Sequence, residues 1–443
     1  MKKLTFRGGV HPNDRKAATA AVPIKELEPC TTYTYPLSQH IGAPCKPLVG
    51  VGDSVLRGQK IADAESFVTA PIHSAVSGKV TAIERRMVPN GNMEESIIIE
   101  SDGRDTLHES VRRHGTYESV TPAQILEIVR EAGITGMGGA AFPTHVKLNI
   151  PRDVSVDTVI VNGAECEPYL TSDHRVMLEI PSLVIEGLRL AMKAVGVTQA
   201  KIAVEENKPD AIIQITNKAS KYKEIEVCTL KTKYPQGSEK HLIKAVTGRE
   251  VPSGQLPSSV GVIVLNIDTA VAIARAVYDG LPLLRRIVTV SGGAIKNPCN
   301  FSVKLGTPVR CLIEQAGGFS SEPVKMIAGG PMMGMAMSSL DVPVTKGVSA
   351  ILAFDKREAL AFAESPCTRC GRCIKACPMG LTPAYMNKYI GMGDYDGAAK
   401  IGLMDCIECG ACSYICPCKR QLVQSFRLGK QLLQNRKKKQ KGN

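Results

Sequence analysis

The chain of 443 residues reads as a multidomain α/β protein, and three observations predict it. Short Val- and Ile-containing runs broken by glycines fill roughly the first hundred residues. Strand-like and helix-like segments then alternate through the middle of the chain. Two matching cysteine runs lie near its end. A single hydrophobic core rarely serves more than about 250–300 residues, so a chain of this length is expected to divide into domains. Its 44% hydrophobic and 22% charged residues are ordinary for a globular protein.

The first region, residues 1–115, reads as β-structure. Gly50, Gly52, Gly58 and Gly78 punctuate strand-like runs between Phe6 and Glu100. Within it, the stretch from Pro47 to Ile83 resembles a biotinyl/lipoyl-type barrel-sandwich module. That family modifies a Lys at its hairpin tip. The corresponding Glu65-Ser66-Phe67-Val68-Thr69-Ala70-Pro71 has none, which implies a docking module without a prosthetic arm.

Residues 116–283 read as an α/β domain. Thr121-Pro122 has the form of an N-cap followed by Pro at the first helical position, and Ile125, Leu126, Ile128 and Val129 supply an apolar face running to Gly133. After a Gly-rich loop, Thr158-Val159-Ile160-Val161 reads as a buried strand ending at Asn162-Gly163. A helix (183–195), a strand (200–204), a helix (209–220), a strand (261–265) and a helix (269–278) follow. Residues 284–350 return to a β pattern with a short helix near 309–316, similar to a soluble-ligand-binding β-grasp domain. Residues 356–364 look helical and lead into a cysteine module at 355–430, expected to be α-helical. Residues 420–434 place Leu422, Val423, Phe426, Leu432 and Leu433 at helix-compatible spacing, ahead of a basic tail at 431–443.

The formal charge of +13 is concentrated in that tail: nine Lys or Arg and no acid lie between Pro417 and Asn443, and without them 46 basic residues face 42 acidic ones. This distribution, with only 4% aromatic residues and no Trp, argues against a nucleic-acid groove. Met1 to Val10 contains no apolar signal-type core, and no run of about 18 apolar residues is present to span a membrane. A reducing, cytoplasmic setting is expected, with the Cys residues outside the two runs scattered and packed.

The strongest chemical signal is the pair of runs Cys367, Cys370, Cys373, Cys377-Pro378 and Cys406, Cys409, Cys412, Cys416-Pro417. Both follow C-x2-C-x2-C-x3-C-P, as in bacterial two-cluster ferredoxins, where the fourth Cys ligates the other cluster. One [4Fe–4S] cluster is therefore expected on Cys367, Cys370, Cys373 and Cys416, and a second on Cys406, Cys409, Cys412 and Cys377. Zinc favours four ligands in paired C-x2–4-C units and fits this order less well. Cys418 has no cluster position left to fill.

Clusters alone make a relay, and the residues upstream suggest what loads it. Gly136-Met137-Gly138-Gly139-Ala140-Ala141-Phe142-Pro143 follows a helix, so it is not a Rossmann loop, but its amides can approach a phosphate. With Thr144-His145-Val146-Lys147 it resembles the flavin-site loop of the flavoprotein subunit of respiratory complex I. Asn162-Gly163-Ala164-Glu165-Cys166-Glu167-Pro168 is similar to that family's acidic loop, Gly237-Ser238-Glu239 to its second Gly/acidic segment, and Asn266-Ile267-Asp268-Thr269 to its Asn-containing strand end. Phe6-Arg7-Gly8-Gly9-Val10-His11-Pro12, the segment 162–175 and Gly329-Gly330-Pro331-Met332-Met333-Gly334 resemble the RnfC family, the peripheral NADH-side component of the Rnf complex. The domain order agrees over nearly the whole chain.

The resemblance implies FMN and NAD(H) as cofactors beside the two clusters. It places Gly136, Gly138, Gly139 and Lys147 at FMN or nucleotide phosphate and Asn266 at the ribityl or phosphate region. It puts Asn162, Glu165, Glu167, Gly237 and Glu239 at the flavin/nicotinamide site and makes Phe142 a ring face. Glu165, Glu167 and Lys147 are the implied catalytic groups. Met137, Ala141 and Ala164 depart from the complex I pattern, where an Arg, a Gly and an Asp stand. The implied activity passes hydride between NAD(H) and FMN and single electrons onward to the clusters. The implied setting is peripheral, at the cytoplasmic face of the membrane, with the other subunits of an ion-translocating complex as partners and ferredoxin reached through one of them. A soluble cobalamin reductase of propanediol-utilising microcompartments shares the domain order, and a non-catalytic relay scaffold is the third reading. An apolar-striped helix leading into Arg436-Lys437-Lys438-Lys439 suits a membrane-protein partner or anionic headgroups.

Overall fold

In a computed structural model, residues 3–441 are described except Arg152 and Ala361, and the side chains from 437 onward are outside the description. The N-terminal β-module is built from two small sheets. One pairs Thr32–Pro36, Met93–Ser101, Gly78–Met87 and Ser54–Val55 in that order, and the other pairs Lys46–Pro47, Lys60–Asp63 and Ile72–His73, all antiparallel. The Lys-free tip is docked against the protein. The Phe67 carbonyl lies 3.1 Å from His145 Nε2, and buried Lys346 donates to the carbonyls of Pro71 (2.6 Å) and Gly133 (2.8 Å).

Residues 4–26 run outside these two sheets and lie against other parts of the chain. Leu4 bridges Leu230, Val10 bridges Tyr234, and Lys25–Glu26 adds a parallel edge strand to the β-grasp sheet. That sheet runs Lys25–Glu26, Cys299–Lys304, Arg285–Ser291, Ala350–Phe354, Lys325–Ala328, Met335–Met337, with the helix Val309–Gln315 packed on it. Cys30 and Cys311, expected as separate packed thiols, are joined as a disulfide with Cα atoms 6.8 Å apart, because the return of the N-terminal segment to this sheet brings them together.

The central domain holds a four-stranded parallel sheet in the order Ile225–Leu230, Gln199–Glu205, Thr158–Gly163, Val262–Asn266. Helix Pro122–Glu131 starts at Thr121 with a reciprocal cap to Gln124, as its sequence requires. Helices Pro181–Val195 and Ile267–Asp279 pack together on one face, and the close approach needs Gly187. A Cβ there would meet the Ala270 carbonyl oxygen at 1.7 Å. The strand Ile225–Leu230 and the helices Thr144–Leu148, Ser172–Glu179 and Glu239–Thr247 were not expected from the sequence pattern.

Residues 356–360 and 362–364 are not helical. The Asp355 carboxylate accepts from the amides of Arg357 (2.8 Å) and Glu358 (3.1 Å), closing an Asx-type turn that competes with a helical start. The cysteine module is helical as expected. Its last helix runs unbroken from Leu422 to Lys441, so no boundary falls at 431. Leu422, Val423, Phe426 and Leu433 are buried against Met386, Ile390 and Leu403, so the apolar stripe builds the module's own core and is not offered to a membrane. The basic side chains 437–439 lie outside the described residues.

Candidate flavin crevice and dicluster module

In the parallel sheet the first strand, Thr158–Gly163, has the next two strands on one side and Val262–Asn266 on the other. The order therefore reverses between these central strands, and a crevice opens at their carboxyl ends, where ligands of open α/β sheets bind. Asn162 and Asn266 are register partners at that edge. The Asn162 carboxamide donates to the Gly237 carbonyl (2.8 Å) and accepts from the Ala164 amide (3.1 Å). Asn266 caps its helix through the amides of Asp268 (2.8 Å) and Thr269 (3.4 Å) and donates to Asp173 (2.7 Å). These two residues thus tie three of the four predicted segments to one edge.

The fourth segment lies directly over them. The Gly-rich loop is pinched shut by Gly136 N–H to the Phe142 carbonyl (2.8 Å), and Met137 is held by Thr269 and Arg286. Gly136 therefore shapes the loop and spends its own amide doing so. Between these anchors Gly138, Gly139 and Ala140 are exposed, and their amides have no protein partner among the described residues. A Cβ on Gly138 would come 2.9 Å from Asn266 Nδ2, whereas one on Gly139 would meet nothing within 4 Å. Free amides over a strand-end crevice form a cradle for an anionic group. The residues fit a flavin phosphate.

Lys147 bridges the wall, donating to Glu239 (2.8 Å) and to the Val264 carbonyl (3.0 Å). Phe142 is half-buried beside the loop. The two acidic-loop carboxylates are not the surface groups that charge alone would suggest. Glu165, at φ 47°, is buried and accepts from the amides of Asp173 (2.7 Å) and His174 (3.4 Å), so it caps helix Ser172–Glu179. Glu167 accepts from the amides of Met332 and Met333, each at 3.0 Å, and burial pushes its carboxyl up to about 7. The carboxylate of Glu167 therefore faces the β-grasp loop rather than open crevice.

Three residues that sequence reasoning passed over organise this loop. Lys16, fully enclosed, donates to the carbonyls of Glu165 (2.9 Å) and Glu167 (3.0 Å) and contacts that of Leu170. Asp173 lies among Glu165, Asp268 and Asn266, and its carboxyl is pushed up by burial and then by the Glu165 and Asp268 carboxylates. Tyr234, three residues before Gly237, donates its hydroxyl to the Cys409 carbonyl at 2.7 Å. Asp173 lies within the quoted segment 162–175 and Lys16 four residues after the Phe6–Pro12 motif, and that closeness was the available signal.

Tyr234 leads into the dicluster module. Cys377, Cys406, Cys409 and Cys412 line one small pocket together with Pro378, Met386, Val423 and Phe426. Cys377, from the first run, thus shares a pocket with three cysteines of the second. Cys377 lies within electrostatic reach of Cys406, Cys409 and Cys412. The Cys373 thiol is pushed up by burial and, in smaller part, by Cys416.

Left-handed backbone recurs at matching places in the two runs: Arg369 and Glu408, Gly371 and Gly410, Gly380 and Lys419. These turns aim amides at sulfur, with Arg369 N–H to Cys367 and Glu408 N–H to Cys406 at 3.4 Å, and Leu381 N–H to Cys377 at 3.3 Å. The donors and this pocket fit a cubane cluster on Cys377, Cys406, Cys409 and Cys412. Cys418 sits beside Thr368 at 3.7 Å, outside both ligand sets.

The N-terminal strap fastens this module to the crevice. Gly9 N–H donates to the Ala376 carbonyl (2.9 Å), Val10 and Tyr234 exchange two backbone bonds of 2.8 Å, and Met332 covers Gly410. Fold and site together define an electron-transfer protein with a flavin-type crevice wired to a two-cluster module.

Comparison with known proteins agrees domain by domain. Residues 4–104 match the RnfC barrel sandwich hybrid domain, 129–275 the Nuo51 FMN-binding domain, 287–336 the SLBB domain and 360–417 a 4Fe-4S dicluster domain. The chain is 48% identical to the RnfC component of the Na(+)-translocating ferredoxin:NAD(+) oxidoreductase complex of Acetobacterium woodii, over 97% of each chain. It is 49% identical to the proton-translocating counterpart of Clostridium ljungdahlii (96% of this chain, 93% of the relative). It is 44% identical to the corresponding component of the ion-translocating oxidoreductase complex of Rhodobacter capsulatus (98% and 84%). The chain belongs to this family, the RnfC components of the Rnf-type ion-translocating oxidoreductases. A crystal structure of an NAD+-reducing [NiFe]-hydrogenase shares the fold, with a TM-score of 0.51 and 19% identity over 73% of this chain and 68% of that one. Among the described residues no helix is long and apolar enough to cross a membrane.

Proposed function

We propose that the chain is the NAD(H)-facing component of an ion-translocating ferredoxin:NAD+ oxidoreductase, held peripherally at the cytoplasmic face of the membrane. In this reading the loop of Gly136, Gly138 and Gly139 holds the FMN phosphate, Gly136 closing the loop and the other two offering their amides. Asn162, Gly237 and Asn266 form the crevice floor, Lys147 and Glu239 its charged wall, and Phe142 a face for an aromatic ring. Bound FMN supplies the conversion between hydride and single-electron chemistry. The chain's own contribution is orientation. Glu165 and Lys16 fix the acidic loop from beneath, and Glu167 locks that loop to the β-grasp domain. Lys147 and Glu239, paired and half-exposed, are the groups free to rearrange when a nucleotide enters.

The eight run cysteines hold two [4Fe–4S] clusters that pass single electrons. Electrons leave the crevice first toward the cluster on Cys377, Cys406, Cys409 and Cys412. The cluster on Cys367, Cys370, Cys373 and Cys416 is the outlet. One observation carries this reading: Tyr234, three residues before Gly237 of the crevice floor, donates its hydroxyl to the carbonyl of Cys409. The test is anaerobic addition of NADH to the full chain reconstituted with FMN, iron and sulfide. Bleaching of the flavin absorbance followed by a reduced-cluster paramagnetic signal is expected. A chain that binds neither FMN nor NADH sinks the assignment.

A further inference from the structure

The two cluster runs differ in what stands between their cysteines. From Cys367 to Cys377 the spacers include Arg369, Arg372 and Lys375, all exposed, and no acid. Lys419, also exposed, reaches over this side with its ammonium 4.6 Å from the Phe362 ring. None of these four cations has a carboxylate partner among the described residues. The acid nearest to the run in sequence, Glu364, is engaged by Arg420 at 3.5 Å and by the Gln421 amide at 2.7 Å. Cys367 and Cys370 are themselves exposed, and in the same stretch of chain Leu360 (61% exposed), Phe362 (55%) and Ile374 (37%) are exposed too. On the other run the spacer Glu408 neutralises Arg427 and Lys430, and the ligands Cys409 and Cys412 are buried.

Uncompensated cations around exposed apolar groups have the anatomy of a transient docking face, in which an apolar centre excludes water and charge on the rim steers the encounter. We propose that this face docks the acidic surface of a protein redox partner, bringing the partner's own centre over the cluster held by Cys367, Cys370, Cys373 and Cys416. The assignment rests on the dicluster reading above. A lipid surface would satisfy the cations but would take no electron from the exposed ligands they surround. A small acceptor would not need the apolar rim. Unpaired arginines are also suited to carboxylates, which they bind in bidentate fashion.

The test uses membranes from cells lacking this chain and the full-length, cluster-loaded protein, with rebinding scored by protein mass rather than activity. Wild type is expected to rebind in a manner that weakens with salt, as steered encounters do. The triple variant Arg369→Glu, Arg372→Glu, Lys375→Glu is expected to rebind about tenfold or more weakly, with a flattened salt dependence. A control reversing Lys79, Arg85 and Arg86, exposed on strand Gly78–Met87 of the N-terminal module, is expected to rebind as wild type does. If iron content shows that the triple variant assembles its clusters poorly, Phe362→Ser with Lys419→Glu replaces it, because neither residue lies inside a ligand run.

Wild-type rebinding by the variants would overturn the proposal. So would equal binding of wild type to protein-free phosphatidylglycerol vesicles, which would assign the face to lipid. Failure of the flavin reading would appear separately, as an absence of NADH-dependent bleaching with rebinding intact.

Discussion

The two halves of the dicluster module share one backbone and live in opposite surroundings. Both repeat the same left-handed turns and the same N–H to sulfur bonds. The half built on Cys406, Cys409 and Cys412 is enclosed by Tyr234, Met332 and the last helix, while the half built on Cys367 and Cys370 faces solvent. The cysteine spacing goes with a shared backbone, and the residues between the cysteines decide how far protein closes over each half. Ile407, Gly410 and Ala411 let protein close over one half. Arg369, Arg372 and Lys375 keep it off the other.

The largest effect that can break this comparison is loss of a ligand. Cys412→Ser is expected to abolish NADH-driven reduction of both clusters and to loosen the helix Leu422–Lys441, because cluster binding energy is also folding energy. Cys370→Ser is expected to remove only the outer signal and to leave an inner cluster that NADH still reduces. Paramagnetic spectra recorded after NADH addition separate the two. An inner cluster that stays oxidised in Cys370→Ser would reverse the proposed order.

Next in size is a pH effect confined to the enclosed side, where Glu167 supports Met332 over Gly410. Burial pushes the Glu167 carboxyl up from about 4.5 to about 7. Between those values the folded chain holds a proton that the unfolded chain releases. This contribution is fully present below the ordinary glutamate range and is lost as pH rises through about 7, at most about 3 kcal/mol. Glu167→Gln is expected to flatten that fall in denaturant midpoints measured across the window. An unchanged slope would remove Glu167 from the account.

Tyr234→Phe is smaller. It leaves the Cys409 carbonyl without its donor in a buried place, and a loss of about 1–2 kcal/mol in unfolding free energy is expected. Arg369→Ala, on the solvent side, should stay within about 0.5 kcal/mol. Equal losses from these two changes would mean that the halves are not differently enclosed.

The contrast between the halves was only partly legible in the chain. Cysteine spacing pointed to both proposed ligand sets, and Cys377 does share a pocket with Cys406, Cys409 and Cys412. Thr121-Pro122 and the 183–195 periodicity gave helices because local capping and amphipathicity decide them. The 356–364 helix failed because the Asp355 side chain offered the backbone a turn. The apolar stripe of 420–434 was visible, but which surface it covers is a packing outcome that periodicity does not contain. Glu165 and Glu167 were located by motif, yet their partners are an amide pair near 173 and another at 332–333. No local pattern pairs residues so far apart. Nor does one reveal that Lys16 would bury its ammonium under the acidic loop or that residues 4–26 would strap three domains.

The smallest effect is also the cleanest comparison, because it uses the same substitution at the same place in each repeat. Gly371 and Gly410 both adopt left-handed backbone, at φ 71° and 82°, between the second and third Cys of their runs. Alanine in that conformation costs about 1–2 kcal/mol for a reason internal to the residue, so both variants start from the same penalty. Their surroundings then differ. A Cβ on Gly371 meets nothing within 4 Å, whereas one on Gly410 meets the Met332 carbonyl oxygen at 3.0 Å. That neighbour is backbone, anchored in turn by the Glu167 carboxylate, so it yields less readily than a flexible side chain would. Gly410→Ala is therefore expected to cost up to about 1 kcal/mol more than Gly371→Ala. The difference would be read as faster iron loss to a chelator from the enclosed cluster than from the exposed one. Identical rates would mean that Met332 rides loosely over the inner loop, and that the lock between the β-grasp domain and the dicluster module is weaker than its hydrogen bonds imply.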